Sequence, residues 1–155
     1  MLLKTDRLYL FPFGPDELWE RISQVAEFPR WWPWLRRFEG DGLRTGDVWK
    51  CRVRPPVPYS VRFTVTIDEV LTERSVTARI SGDIIGTASL GIEAEASGCR
   101  VRLVADLAPE KKPLRALSIA ARPVVRFGHN WVLNTGARQF LKRSHPPPRG
   151  ARQNA

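Results

Sequence analysis

Val61-Arg62-Phe63-Thr64-Val65-Thr66-Ile67-Asp68 alternates apolar and polar residues without a break. A period of two puts every second side chain on the same side of an extended chain, so this run reads as a strand with one face covered and one wet. Four more runs share the pattern. Trp49, Cys51 and Val53 alternate with Lys50, Arg52 and Arg54, and Val76, Ala78 and Ile80 with Thr77, Arg79 and Ser81. Ala88, Leu90, Ile92 and Ala94 alternate with Ser89, Gly91, Glu93 and Glu95. Val101, Leu103, Ala105 and Leu107 complete the set. The links Thr72-Glu73-Arg74 and Ser97-Gly98 are hairpin-like, and Pro55-Pro56-Val57-Pro58 is a stiff turn. Consecutive alternating strands with short links predict an antiparallel sheet, and its apolar face needs a cover.

The cover is expected from residues 113–143, the remaining long helical pattern. Val125, His129, Val132, Leu133, Gly136 and Phe140 fall on one helical face, and Pro123 marks a start or a kink. Ahead of the sheet, residues 4–13 read as a strand. Gly14-Pro15-Asp16 then opens a helix whose face carries Leu18, Trp19, Ile22, Val25 and Ala26. Pro29 and Pro33 break off a second short turn, Phe28-Pro29-Arg30-Trp31-Trp32-Pro33-Trp34-Leu35, and Gly40, Gly42 and Gly46 mark a loop. The stretch 144–155, beginning Ser144-His145-Pro146-Pro147-Pro148, has no apolar payload and is expected to be a disordered basic tail behind a single domain of 1–143.

The chain has 155 residues, 43% hydrophobic and 26% charged, which suits one globular domain with a real core. Its net charge is +9, and ten basic residues against no acidic one follow residue 110. Charge alone, without a recognition motif, does not imply specific nucleic-acid binding. Cys51 and Cys99 are too few for a disulfide scaffold. No basic-then-apolar leader and no run of membrane-spanning length is present, so a cytoplasmic location with reduced thiols is expected. The cysteines, His129 and His145 lack metal-ligand spacing, and phosphate-loop and nucleophile-elbow patterns are missing, so no cofactor and no metal is expected.

The order strand, two short helices, antiparallel strands, long C-terminal helix resembles the helix-grip α+β fold of the START-like (SRPBCC) superfamily, and within it the polyketide cyclase/dehydrase-like branch. The carriers are Pro15-Asp16-Glu17-Leu18-Trp19, Phe28-Pro29-Arg30-Trp31-Trp32, Gly82-Asp83-Ile84-Ile85-Gly86, and Arg122-Pro123 followed by Gly128-His129-Asn130. The resemblance spans residues 4–143. It implies a curved sheet gripping the long helix around a hydrophobic cavity, and a partner that is a small lipid- or polyketide-like molecule. Cyclases and dehydratases occur in the same superfamily.

Trp34, Trp49, Phe63, Val65, Leu90, Val125, Trp131, Leu133 and Phe140 are the candidate ligand-binding residues. His129 is the candidate catalytic group, since a partly buried imidazole can move a proton near neutral pH. Its alternative is a structural histidine bonded to a backbone carbonyl or to a carboxylate such as Asp83. Asp83 in turn either orients His129 or serves the turn that Gly82-Asp83 suggests. Asn130 points about 100° away from its neighbour and does not share its role. The tryptophan turn, flanked by Arg30, Arg36 and Arg37, is a cavity lid, a weak contact with an anionic membrane surface, or core packing.

Overall fold

The computed structural model describes residues 3–110 and 122–147, with the backbone alone for 122–125. Seven strands form one antiparallel sheet: β1 (Leu3–Phe11), β2 (Leu35–Glu39), β3 (Val48–Val53), β4 (Val61–Leu71), β5 (Ser75–Gly82), β6 (Ile84–Glu95) and β7 (Gly98–Pro109). Their order is β1-β7-β6-β5-β4-β3-β2, so β2 to β7 meander and β1 closes beside β7. The sheet is curled, and β1 and β2 are its two edges. The chain crosses from one edge to the other through α1 (Pro15–Ile22), a 3-10 turn (Val25–Glu27) and α2 (Phe28–Trp31). The long helix α3 (Arg122–Arg143) lies in the grip of the sheet. This is the helix-grip architecture that the resemblance implied.

The alternation places side chains as expected. Phe63, Val65 and Ile67 of β4, Val76, Ala78 and Ile80 of β5, and Val101 and Leu103 of β7 line the concave face. Ala94, at the far end of β6, is exposed instead. On β1 the inward set is Thr5, Tyr9 and Phe11, while Leu8 and Leu10 face outward at 60% and 66% exposure.

The structure departs from the expected elements at three places. The first helix stops at Ile22 rather than at residue 26, because after the last α-type bond, from the Ser23 N–H to Trp19, the Gln24 N–H bonds the Arg21 carbonyl three residues back and the chain tightens into the 3-10 turn; Val25 is buried and Ala26 exposed. Strand β2 had no period-two signature. A bulge between Leu35 and Arg37 places Leu35 and Phe38, three residues apart, on the same inward face. The chain after residue 143 begins ordered: Ser144 is 1% exposed, and the Arg21 guanidinium donates to its carbonyl at 2.7 Å and its hydroxyl at 3.2 Å. Gln24 Nε2 donates to the His145 carbonyl at 2.6 Å. Residues 148–155 of the expected tail and 113–121 of the expected helix lie outside the described residues. The described part of helix α3 begins at Arg122 and includes Pro123. Among the described residues no helix is long and apolar enough to cross a membrane.

An aromatic cluster locks the α1–α2 connection onto the sheet. Phe28 packs against Trp32 at 4.9 Å, Phe38 at 5.2 Å and Trp49 at 5.6 Å between ring centroids. Phe140 of α3 joins through Phe11 at 5.3 Å and Trp31 at 5.5 Å. Such pairs add about 0.5–1.5 kcal/mol each beyond area burial.

Gly98, at the β6–β7 turn, has φ +152°, and a Cβ there would lie 1.9 Å from the Phe11 carbonyl oxygen. Gly98→Ala is expected to lower stability by well over about 1 kcal/mol. Gly91→Ala, with nothing within 4 Å of the added Cβ, serves as a near-neutral control. Urea unfolding of both variants checks this.

Candidate ligand cavity

Between sheet and α3 lies a cavity of about 430 Å³, in the range of small-molecule sites. Its walls come from β3 to β7, from Tyr9 and Phe11 of β1, from the tryptophan turn, and from Val132, Leu133, Gly136 and Phe140 of α3. A second chamber of about 220 Å³ adjoins it, and the two share Val53, Phe63, Val132 and Leu133 as walls. This smaller chamber holds Tyr59, Gly128 and His129 among hydrocarbon side chains such as Leu3, Ile84 and Leu107. Among the described residues, no Asp, Glu, Lys or Arg lines either chamber.

The indole N–H groups of the larger chamber are all spent on protein acceptors. Trp32 donates to the Gly136 carbonyl at 2.9 Å, Trp34 to Gln139 Oε1 at 2.8 Å, and Trp49 to the Gly42 carbonyl at 2.7 Å. The rings therefore offer their apolar faces to the interior. The first two bonds also fasten the tryptophan turn to α3. Trp31 is 4% exposed, so the turn packs as cavity wall and core. Gly136 admits this closeness, because a Cβ there would stand 3.2 Å from the Trp34 ring.

The opposite seam of α3 runs along β1. His129 Nε2 and Thr5 Oγ1 share a hydrogen bond of 2.7 Å, and Thr5 is 4% exposed. The Arg7 guanidinium donates to Asn130 Oδ1 at 2.8 Å and to Asn134 Oδ1. Burial pushes the His129 imidazole below its ordinary value, and the nearby Arg7 charge pushes the same way. Burial also pushes the Tyr59 phenol up, and the Cys51 thiol up to about 12, which leaves that thiol inert as a nucleophile at neutral pH.

The structure brings Trp34, Trp49, Phe63, Val65, Leu90, Leu133 and Phe140 together around the larger chamber, and His129 and Leu133 around the smaller. Trp131 is a correction. Two residues beyond His129, it is rotated about 200° from it on the helix. It faces an outer groove with Trp34, Arg36, Arg54 and Pro55–Pro58. The side chain of Val125 lies outside the described residues. Asp83 sits at the β5–β6 bend, where its Oδ2 accepts the Arg62 N–H at 2.9 Å, so it serves the turn, and the partner of His129 is Thr5 rather than a carboxylate. Thr5, Tyr9 and Tyr59 were missed. Polar residues in a strand or a proline-rich turn carry no local sign of facing a cavity or of meeting the helix over it.

A depressed histidine binds its proton less readily folded than unfolded. The contribution of neutral His129 is therefore complete above about pH 6.5 and is lost as pH falls from there toward the lower folded value. His129→Gln is expected to flatten this part of the stability–pH curve, read as the wild-type-minus-variant difference in urea midpoint from pH 8 to 5.

Residues 10–138 match the model of the family described as "Polyketide cyclase / dehydrase and lipid transport". Among solved structures, the chain is similar to the Zhui aromatase/cyclase from Streptomyces sp. R1128 (13% identity, TM-score 0.67, covering 92% of this chain and 96% of that one). It is also similar to Ara h 8.0201 (14%, 0.62, 92% and 97%) and to TTHA0849 from Thermus thermophilus (13%, 0.68, 94% and 100%). At these identities the likeness is one of fold. No functionally curated protein shows significant sequence similarity to the chain. The family match covers most of the helix-grip domain, from the end of β1 to the last turns of α3, and by it the chain belongs to the polyketide cyclase/dehydrase and lipid transport family.

Proposed function

We propose that this protein binds or carries a small hydrophobic molecule, lipid- or polyketide-like, between its sheet and α3. The observation that carries this is the 430 Å³ chamber whose walls, apart from Ser89 and the Tyr9 hydroxyl, are hydrocarbon and aromatic faces, with the indole donors committed elsewhere. An apolar guest gains roughly 25 cal/mol per Å² of buried surface before association costs, and loses little because it needs no hydrogen bonds there.

A cyclase or dehydratase with His129 as its proton-transfer group is the second reading, favoured by the place of His129 in the chamber wall. It has less support. The Nε2 atom is already engaged by Thr5, and among the described residues no carboxylate lines the chambers as a partner acid or base. On that reading, His129→Ala abolishes turnover while ligand binding survives. A contact with anionic membranes through the tryptophan turn has less support still. Its rings pack inward, and Arg30 and Arg37 pair with Glu27 at 3.3 Å and Glu39 at 3.6 Å.

Leu90 projects into the larger chamber from the middle of β6. Leu90→Trp is expected to fill that space and weaken binding of an apolar fluorescent probe at least tenfold, about 1.4 kcal/mol. Circular dichroism should stay unchanged. Binding equal to wild type in a folded Leu90→Trp protein would remove the cavity reading. Native mass spectrometry of the wild type, followed by extraction, is expected to yield a discrete apolar adduct.

A further inference from the structure

The larger chamber carries the hydroxyls of Tyr9 and Ser89, and the smaller chamber has a polar set of its own. Its side-chain hydrogen-bonding groups are Tyr59 and His129. The His129 Nε2 is engaged by Thr5, whereas the Tyr59 hydroxyl has no hydrogen-bond partner among the described residues. The phenol oxygen lies against the helix backbone at Gly128, where a Cβ would come within 2.7 Å of it. Only a residue without a side chain leaves room for the hydroxyl at that place. Val53, Phe63, Val132 and Leu133 line both chambers, so the smaller lies directly beside the larger.

We propose that the smaller chamber is a polar subsite in which the Tyr59 hydroxyl hydrogen-bonds a neutral oxygen, a hydroxyl or a ketone, at one end of an otherwise apolar ligand. The inference rests on the cavity reading above and adds the class of ligand. An ionised end group does not fit. Among the described residues no cationic side chain lines the chamber, and the Arg7 guanidinium is bound to Asn130 and Asn134 at the β1 seam. Burial also holds His129 toward its neutral form. A carboxylate entering here would lose its hydration without gaining a counter-charge. A hydroxyl or ketone loses less hydration and gains a hydrogen bond from the phenol.

The test is displacement of an apolar fluorescent probe from the full chain by dodecan-1-ol, dodecanoate and dodecane at pH 8, in the wild type and in Tyr59→Phe. The alcohol is expected to bind the wild type more tightly than dodecanoate. Tyr59→Phe is expected to weaken the alcohol by about three- to tenfold, the worth of one neutral hydrogen bond, and to leave dodecane unchanged. Gly128→Ala, which pushes the phenol aside, should reproduce the selective loss. If Tyr59→Phe leaves the alcohol unaffected, or weakens alcohol and alkane alike, or if dodecanoate binds as well as the alcohol, the polar subsite is overturned while the cavity reading stands. If none of the three displaces the probe from the wild type, both fall together.

Discussion

The structure depends on how α3 is held. Protein interiors pack densely, and a helix over an apolar sheet normally sinks until its side chains fill the gap. Here α3 is tied at both edges of a curled sheet by directional bonds. On the β1 side these run from Thr5 to His129 and from Arg7 to Asn130 and Asn134. On the other side Trp32 and Trp34 reach Gly136 and Gln139, and Arg143 donates to the Trp31 carbonyl at 3.0 Å. Hydrogen bonds fix separation as well as contact, so the helix is supported along its flanks instead of being pulled inward along its middle.

The tryptophan turn belongs to the same scheme. An indole is a large apolar plate with one polar edge, and buried indoles seek an acceptor for that edge. With the N–H groups turned to the helix backbone, a glutamine and a loop carbonyl, the plates become cavity wall. A wall of aromatic rings presents wide, stiff surface at small entropic cost, which suits a chamber that must keep its shape. The aromatic contacts through Phe28 and Phe140 join this wall to the sheet and to the far end of α3.

The same environment sets the chemistry. Burial drives the titratable groups at the chambers toward their neutral forms: His129 downward, Tyr59 and Cys51 upward. Proton transfer and nucleophilic attack both need an accessible charged state or a partner that creates one. Binding of a neutral molecule needs neither. The electrostatics and the shape thus favour the same reading.

The alternation from Trp49 to Leu107 was enough to establish the sheet and its inward faces, because a strand's period of two is a local property of the backbone. The helical spacing of His129, Val132, Leu133, Gly136 and Phe140 identified the inner face of α3 for the same reason. Tertiary structure alone decided the rest. Strand β2 was hidden by a bulge that a period cannot reveal. Thr5 met His129 across 124 positions of sequence, and the Tyr59 hydroxyl met Gly128 at the smaller chamber. Pairings of that range depend on strand order and on the height at which α3 is held. Neither is encoded in any local pattern, so the sequence determined which faces turn inward, and only the fold decided that a chamber lies between them and which polar groups meet at its end.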